Sequence, residues 1–453
     1  DALAQQLQIP ATLLNDTKAL ANVFSGNEIL RGSEPIALAY SGHQFAHFNP
    51  QLGDGRAHLL GDVQDNNGHK WDIQLKGSGR SAFSRNGDGR CAIGPAVREF
   101  IMSEAMQAIG VPTTRCLAVV TTGDTVYRQQ AHPGAVVTRV ASSHIRVGTF
   151  QYCAARGDTT SLQALAEYTL ARHYPQITET GAQRWIALID AVMDKHIQLI
   201  VQWMRVGFIH GVMNTDNSAI SGETIDFGPC AMMGVYNPGT VYSSIDRQGR
   251  YAFANQPAIA YWNITRFAEC LLLLMDQEDE LLMKQLSDVI NDFSVRFQRA
   301  YMLMMANKFG LVDLQTSDAE LINALLACFA EQKLDYTVSF NNLTQALTCS
   351  KAAATMQEQL GHELFSQWLT RIENQQASSA QIQASMASVN PVVIPRNHHI
   401  EAVLKSCEES ADPRAALDIL HVLRQPYTQI EKTAAYQDVD SESDQHYQTF
   451  CGT

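Results

Sequence analysis

The chain contains no uninterrupted apolar run of membrane length, although 45% of its 453 residues are hydrophobic. A helix that crosses a bilayer needs about 20 predominantly apolar residues in succession. The sequence also has no basic excess, because 33 Lys and Arg stand against 46 Asp and Glu. We therefore expect neither a membrane nor a nucleic acid among the partners of the protein, and enough apolar residues for a large buried core.

Cysteine is present without any paired spacing, since the nine residues are scattered along the chain. Scattered cysteines favour a reducing compartment over a disulfide framework. The N-terminal residues contain neither the apolar segment of a signal peptide nor an Arg-rich transit pattern. We therefore expect a cytoplasmic bacterial protein that is a monomer. The chain opens at Asp1 rather than Met, which leaves room for an N-terminal segment before it.

One run of residues has the spacing of a nucleotide-linked metal site. The run extends from His210 to Asn217 and is followed nine residues later by Asp226-Phe-Gly. In the protein-kinase pattern an Asn stands seven positions after the His of a His-Arg-Asp motif, and a separate Asp-Phe-Gly supplies the second metal ligand. Mg²⁺ and Mn²⁺ prefer such oxygen ligands and take the others from phosphates and water. Asn217 and Asp226 are therefore the predicted metal ligands.

The catalytic Asp of the kinase pattern is missing from this run. Its position, two residues after the His, is occupied by Val212, a side chain that neither accepts a proton nor binds a metal. Gly222 predicts a turn between Ala219-Ile220 and Thr224-Ile225, and we expect these two pairs to form a hairpin. The hairpin would present both metal ligands to one point.

The first third of the sequence carries the elements that hold phosphates in a kinase-like lobe. Gly53-Asp-Gly55-Arg56 precedes an apolar strand, and the next strand ends on Lys76. A helix follows, with Pro95 in its first turn and Gly110 beyond its end. Glu99 lies on this helix and is predicted to pair with Lys76, as in the ion pair that fixes a kinase lysine on the phosphates.

A second stretch rich in glycine and arginine follows the lysine, from Gly77 to Arg90, and Arg139 and Arg146 come later on probable strands. So many guanidinium groups in a chain of net charge −13 predict a polyphosphate pocket rather than a general attraction to nucleic acid. Arg139 is the strongest candidate because apolar β-formers flank it. Arg128, in contrast, is expected at the solvated surface.

Taken together, these motifs resemble those of the selenoprotein O family of protein adenylyltransferases, formerly treated as pseudokinases. The family markers occur in one order along nearly the whole chain: Tyr40-Ser-Gly-His-Gln-Phe45, Gln51-Leu-Gly-Asp-Gly-Arg56, Gln74-Leu-Lys-Gly-Ser-Gly-Arg80, Gly87-Asp-Gly-Arg90, Arg98-Glu-Phe100, His210-Gly-Val-Met-Asn-Thr-Asp-Asn217 and Ile225-Asp-Phe-Gly228. The resemblance implies an α+β, two-lobed protein-kinase-like fold. Its N-lobe would be mixed α/β, and its C-lobe mainly helical with helical extensions.

The resemblance further implies that ATP binds inverted relative to a kinase, so that AMP passes to Ser, Thr or Tyr hydroxyls of proteins and pyrophosphate leaves. Asp216 would be the base, and Asn217 and Asp226 would hold Mg²⁺ or Mn²⁺. The implied nucleotide-binding residues are Gly53, Gly55, Arg56, Lys76, Asp88, Gly89, Glu99, Arg139, Arg146 and Asp226. Three alternatives stay open: an ordinary protein phosphotransferase, a UMP transferase and a non-catalytic nucleotide-binding scaffold.

Turns and strands are expected up to about residue 156, and mainly helices after it. We expect an N-terminal extension and N-lobe in residues 1–156, a C-lobe with the metal site in 157–373, and a helical extension with a mobile acidic tail in 374–453. Residues 374–388, rich in Gln, Ser and Ala, are expected to form a flexible connection within the last of these.

The tail ends in Cys451-Gly-Thr, and family members carry a cysteine or selenocysteine third from the C-terminus. The resemblance therefore implies a redox role for Cys451, with Cys230 as the nearest partner by sequence; the alternative is an inert exposed thiol. Two adjacent histidines, His398 and His399, are expected to point in different directions on a helix and to form a poor chelate.

Overall fold

The computed structural model describes residues 2–450, which fold into small antiparallel sheets and many helices. The strands are β1 (Gly42–Gln44), β2 (His47–Asn49), β3 (Ala57–Gln64), β4 (Lys70–Lys76), β5 (Cys91–Ala92), β6 (Arg115–Tyr127), β7 (Ala131–Ala141), β8 (Phe208–Ile209) and β9 (Ala231–Met232). Short 3₁₀ helices lie at Thr215–Asn217, Phe253–Asn255, Leu272–Leu274 and Thr433–Tyr436.

The α-helices occur before, between and mostly after the strands. They are α1 (Ala2–Gln6), α2 (Ala11–Leu14), α3 (Thr17–Ser25), α4 (Ile93–Ile109), α5 (Val147–Ala154), α6 (Thr159–His173), α7 (Gln183–Val206), α8 (Gln256–Leu271), α9 (Glu280–Asn291), α10 (Phe293–Phe309), α11 (Asp318–Glu331), α12 (Tyr336–Ala346), α13 (Ser350–Leu360), α14 (His362–Glu373), α15 (Ser379–Val389), α16 (Asn397–Ser410), α17 (Arg414–Leu423) and α18 (Ser441–His446). Among the described residues, no helix is both long enough and apolar enough to span a bilayer.

The main sheet has five antiparallel strands arranged around β7. Strand β7 pairs with β4, β5 and β6, and β3 pairs with the other side of β4. The register sets Gln74 opposite Arg139 and Lys76 opposite Val137. Because side chains alternate along a strand, Gln74, Lys76 and Arg139 lie on the same face of the sheet.

The two faces of the sheet are covered by different helices. Leu3 of α1 and Val23 of α3 belong to a small buried cluster with Leu75 and Val136 of the sheet. On the opposite face α4 packs with its buried Ala96 and other apolar residues against β6 and β7, as part of the large core that continues into the helices. Apolar residues of β7 therefore point alternately into the small cluster on one face of the sheet and into the large core on the other.

Helix α4 forms where the sequence predicted it. Gly110 ends it in the left-handed region at φ 86°, where a residue without Cβ is favoured, and Pro95 lies in its first turn. The part of the chain after residue 156 is mainly helical, as expected, and α9 and α10 are separated there by the single residue Asp292. Residues 374–388 were expected to form a flexible connection, but most of them belong to α15, which begins at a capping box of Ser378 and Gln381.

The acidic segment after Tyr436 differs from the mobile tail predicted by its composition. Asp444 accepts hydrogen bonds from the Gly234 N–H at 3.0 Å and the Asn397 amide at 2.7 Å. Thr449 forms a bridge with Ser243 and donates its hydroxyl to the Pro229 carbonyl at 2.6 Å. The described part of this segment is thus packed against the helical part of the molecule.

Candidate active site

One cleft of about 670 Å³ brings together residues from the sheet, the glycine-rich loops and the segment 212–226. The predicted site residues that line it are Gly53, Gly55, Arg56, Lys76, Asp88, Gly89, Arg139, Arg146, Asp216, Asn217 and Asp226. Glu99 lies behind this surface and contacts Lys76. Residues far apart in sequence therefore meet in one place, and Cys451 lies outside the described residues.

Lys76 is held between two carboxylates. Its Nζ lies 2.8 Å from Glu99 Oε2, which is the predicted ion pair, and 2.8 Å from Asp226 Oδ1. Burial alone would raise the pKa of Glu99, but Arg139 and Lys76 outweigh burial and hold that pKa below its usual value. Glu99 is therefore a fixed anion that orients two cations.

Arg139 is the second of these cations. Its Nε donates to Glu99 Oε1 at 2.6 Å, and its Nη2 lies 3.8 Å from Asp226 Oδ1. Burial opposes ionisation of Asp226, yet Lys76 and Arg139 lower the pKa of this carboxyl far below its ordinary range. Asp226 is thus a permanent carboxylate at neutral pH, as a cation ligand must be.

The two motifs of the predicted metal site are joined by His210. The His210 Nε2 lies 2.8 Å from the Ile225 carbonyl, immediately before Asp226, and its Nδ1 accepts from the Val212 N–H at 3.3 Å. Asp226 itself has φ 68°, in the left-handed region that non-glycine residues rarely adopt. The buried histidine therefore helps to fix a strained backbone at the predicted metal-ligand carboxylate.

Asp216 lies in the 3₁₀ helix Thr215–Asn217 and is buried, with 8% of its surface exposed. Burial raises its pKa to about 6, against the lowering effect of Arg146. Its Oδ2 accepts a long hydrogen bond from Gln44 Nε2 at 3.3 Å, whereas its Oδ1 has no hydrogen-bond partner in the structure. A carboxylate of this kind is suited to accept a proton near neutral pH.

Strand β1 holds the loop that carries this carboxylate. The His43 N–H donates to Thr215 Oγ1 at 2.7 Å, and the Phe45 N–H donates to Asn214 Oδ1 at 3.0 Å. A Cβ on Gly42 would lie 2.9 Å from Asp216 Oδ1, so only glycine fits without displacing it. The position of Asp216 is therefore set by residues about 170 positions earlier in the chain.

Asn217 follows in the same 3₁₀ helix and faces the cleft. Its Nδ2 donates to the Val212 carbonyl at 3.0 Å, so the amide nitrogen is occupied and the amide oxygen is the atom that could bind a cation. The Asn oxygen and the Asp226 carboxylate are hard donors, a set that fits Mg²⁺ or Mn²⁺. Val212 also lines the cleft, where it is largely buried.

The hairpin predicted to carry these ligands is absent. Gly222 does form a turn, at φ 74°, but Ala219 bridges Arg146 and Thr224 bridges Thr113. The prediction was wrong because both short segments pair with residues outside the named strands instead of with each other. The long-range pairing still brings both metal-ligand candidates to the same cleft.

Close approach of backbone explains two glycines of the predicted phosphate loops. A Cβ on Gly53 would lie 2.3 Å from the Phe83 ring, and one on Gly89 would lie 2.2 Å from Gly79. Both glycines also have positive φ, at 87° and 72°. The loops around residues 53–56 and 77–90 are therefore packed against each other at the mouth of the cleft.

Asp88 lies at the rim of the cleft and is bound by an arginine. Arg128 donates to both of its oxygens, at 2.8 and 3.0 Å, and this pairing lowers the pKa of Asp88 to about 2. Arg128 is exposed, as expected of a solvated surface residue, and it also lines the cleft. No local pattern signals this pairing, since 40 residues separate the two partners.

Arg146 is anchored on the other side of the cleft. Its Nη2 lies 3.4 Å from Asp54 Oδ1, and its guanidinium lies over the Tyr40 ring at 4.5 Å from the centroid. The sequence motifs alone assigned no role to Asp54, Tyr40 or Gln44. Tyr40 and Gln44 belong to a family marker, but their contacts depend on the fold.

The charge of the cleft is opposite to that of the chain. Seven cationic residues line it: Arg56, Lys76, Arg85, Arg90, Arg128, Arg139 and Arg146. Four acidic residues accompany them: Asp54, Asp88, Asp216 and Asp226. A local excess of cations in a chain of net charge −13 is typical of a polyanion-binding site.

Comparison with known proteins agrees with this geometry. The family model described as "Protein adenylyltransferase SelO" matches residues 1–424. The chain belongs to this family. Its membership confirms the resemblance noted from the motifs, identifies the chain as a nucleotidyltransferase and implies a kinase-like fold with a nucleotide substrate.

Relatives named "Protein nucleotidyltransferase YdiU" match almost the whole chain. The protein of Teredinibacter turnerae is 49% identical over 452 residues, which cover 100% of this chain and 93% of the relative. The Pseudoalteromonas translucida protein is 51% identical over 433 residues, 96% of this chain and 90% of the relative. The Rhizobium rhizogenes protein is 50% identical over 456 residues, 100% of this chain and 90% of the relative.

Cys230, the predicted partner of Cys451, is poorly suited to thiol–disulfide exchange. Cys230 is fully buried, and its Sγ donates to the Phe227 carbonyl at 3.2 Å. Burial raises the pKa of this thiol to about 12, so the reactive thiolate is scarce at neutral pH. A redox pairing of Cys230 with Cys451 therefore stays a prediction.

Proposed function

We propose that the protein transfers AMP from ATP to Ser, Thr or Tyr hydroxyls of other proteins, with ATP bound inverted relative to a kinase. The observation that carries this proposal is Asp216, a buried carboxyl with a pKa of about 6 in a cationic cleft. Val212, at the position of the kinase base, leaves no carboxylate there. Asp216 is therefore the group that receives the proton of the hydroxyl.

The cations of the cleft have a defined task in this reaction. The inverted nucleotide directs its β- and γ-phosphates toward Lys76, Arg139 and Arg146. Glu99 and Asp54 orient these side chains through the ion pairs described above. The same cations then stabilise the charge that develops on the leaving pyrophosphate, and this stabilisation together with positioning is how such sites accelerate phosphoryl transfer.

The chemical step is an in-line substitution at the α-phosphorus. The hydroxyl oxygen of the substrate forms the new P–O bond, and its proton passes to an oxygen of Asp216. The bond between the α-phosphorus and the bridging oxygen breaks, and pyrophosphate leaves with the electron pair. Neither oxygen of Asp216 is held by a strong side-chain hydrogen bond, since Oδ1 has no partner in the structure and Oδ2 has only the long one from Gln44.

Asn217 and Asp226 would hold Mg²⁺ or Mn²⁺, which supplies charge neutralisation and orientation of the phosphates. Asp226 is suited to this because Lys76 and Arg139 keep it ionised. The orientation of Asn217 supports the assignment, since its amide nitrogen is already used by the Val212 carbonyl.

We also propose the two-lobed kinase-like arrangement that the family implies. Residues 1–156 form the N-terminal extension and an N-lobe around the five-stranded sheet. Residues 157–373 form a helical C-lobe with the metal site, and residues 374–453 form an extension. The sheet with α4 on one face, and the Lys76–Glu99 pair between them, support this division.

The test compares ATP labelled at the α-phosphate with ATP labelled at the γ-phosphate, in the presence of Mg²⁺ or Mn²⁺. The expected result is stable α-label on protein and no γ-label. Stable γ-label would refute the proposal in favour of a phosphotransferase, and no label with intact ATP binding would favour a scaffold. Asp216→Asn serves as the inactive control that keeps the nucleotide site, and α-labelled UTP measures the choice of nucleotide.

A further inference from the structure

A second group of possible metal ligands lies away from the cleft, at the start of α16. There Asp438 meets His398 and His399: its Oδ2 is 3.2 Å from His398 Nε2, and its Oδ1 is 2.5 Å from His399 Nε2. The two imidazole centroids are 4.1 Å apart. The expectation that these adjacent histidines point in different directions is wrong, because side chains in a first turn lean toward the N-terminus and here share one carboxylate.

We propose that His398, His399 and Asp438 form a binding site for a divalent transition-metal ion of the Zn²⁺ class. Two imidazole nitrogens and one carboxylate oxygen are ligands that Zn²⁺ takes in three-residue sites, with water at the fourth position. Mg²⁺ strongly prefers oxygen ligands, so this site differs in chemistry from the one at Asn217 and Asp226.

The distances are compatible with capture of such an ion. One potential ligand atom from each of the three residues lies within 4.8 Å of the other two. A tetrahedral zinc site brings its ligands to about 3.3 Å from one another. The side chains of His398, His399 and Asp438 are 22%, 19% and 61% exposed, so solvent reaches them and small rotations suffice.

The location gives the ion a structural consequence. Asp438 begins the segment that continues through α18, where Asp444 bonds to Gly234 and Asn397. The segment then reaches the Pro229 carbonyl through Thr449, and Phe450 lines the catalytic cleft. An ion at the histidines would therefore tie α16 to the segment whose Phe450 lines the cleft.

The first test is equilibrium dialysis of the whole protein against Zn²⁺ with excess Mg²⁺, which saturates the oxygen-ligand site. We expect one Zn²⁺ per chain. Loss of a residue that only supports a ligand weakens metal binding by ~10–100-fold. Loss of a ligand should cost no less, so we expect weaker Zn²⁺ binding of at least this size from His398→Gln, His399→Gln and Asp438→Asn. His69→Gln is the matched control, because His69 is an exposed histidine with one carboxylate partner, Asp65, at 3.6 Å.

Two outcomes would overturn the site. The first is absence of Zn²⁺ binding in the unaltered chain, and the second is equal binding by the unaltered chain and the three variants. In addition, the Co²⁺-loaded protein should lack the near-ultraviolet charge-transfer bands of thiolate ligation. Strong bands of that kind would assign the ion to cysteine instead and would equally refute the proposal.

Hydrogen exchange of the amides in residues 437–450 provides a readout that does not depend on catalysis. Zn²⁺ should slow this exchange in the unaltered protein and in His69→Gln, and should leave it unchanged in Asp438→Asn. Binding of Zn²⁺ without slower exchange would refute the proposed tether. Since neither measurement uses ATP, failure here is distinguishable from failure of the proposed AMP transfer.

Discussion

Replacement of Asp216 by asparagine should damage catalysis and stabilise the fold at the same time. The Asp216→Asn side chain keeps the shape of the carboxyl but accepts no proton, so the rate of AMP transfer should fall by roughly 10²–10⁴. ATP affinity should change little, because Asp216 is assigned neither to the phosphates nor to the metal. A comparable loss of ATP binding would instead make Asp216 part of the metal or phosphate site.

The gain in stability follows from the raised pKa of Asp216. The folded protein raises this pKa from 3.8 to about 6, so ionisation of the carboxyl opposes folding above the unfolded pKa and does so in full above pH 6. At about 1.4 kcal/mol per pKa unit, the opposing free energy is about 3 kcal/mol at pH 8. It should fall to roughly half of that at pH 5 and vanish below the unfolded pKa, since both states are then protonated.

Urea unfolding followed by tryptophan fluorescence at pH 8 and pH 5 measures this difference. Asp65→Asn is a control for which the opposite change in stability is expected. The hydrogen bond from Trp71 is the main cause that lowers the pKa of Asp65 to about 2. Loss of the Asp65 carboxylate should therefore destabilise the protein at pH 8. Asp65 lies just before β4, at the end of the strand remote from Lys76. Asp65→Asn should therefore leave the rate of AMP transfer unchanged. Equal stability of Asp216→Asn and the unaltered protein at pH 8 would refute the burial argument.

Three further substitutions test other parts of the site. Asp226→Ala removes a carboxylate bound by Lys76 and should abolish AMP transfer and weaken metal-dependent ATP binding in calorimetry; near-normal turnover would show that the Asp-Phe-Gly assignment is wrong. Gly42→Ala adds a Cβ 2.9 Å from Asp216 Oδ1 and should lower kcat more than it alters KM for ATP, whereas an unchanged kcat would contradict the fixed position of the base. Cys451→Ala should change the response of activity to dithiols and leave fully reduced activity roughly unaltered. Non-reducing peptide maps that contain only the free Cys451 thiol, with activity indifferent to reductant, would favour the inert alternative.

The sequence predicted the parts of the site whose signal is local. Lys76 ends a short apolar strand and Glu99 lies on a helix with a clear beginning and end, so their pairing followed from the order of elements. The spacing of Asn217 and Asp226 likewise matched a known metal-binding pattern, and the fold brings both residues to the cleft. Family membership then supported the activity that these motifs suggested.

The contacts that tune the site were not predictable in this way. Gln44 and Asp216 are 172 positions apart, and the pKa of Asp216 depends on burial that only the folded chain creates. Composition also failed for the acidic segment, because it averages charge over many residues. The position of Asp444 depends instead on individual hydrogen bonds, such as those donated by the Gly234 N–H and the Tyr242 hydroxyl.

The opposite charges of the cleft and of the whole chain affect how a nucleotide arrives. Seven cations against four acids line the cleft, so the remaining residues carry a negative charge larger than the −13 of the chain. A net negative remainder with a cationic cleft favours the approach of a diffusing triphosphate to the cleft. Screening acts over about 8 Å at physiological salt, so the association rate of ATP should be sensitive to ionic strength. Long-range electrostatic attraction would thus direct ATP to the cleft before ATP contacts the protein.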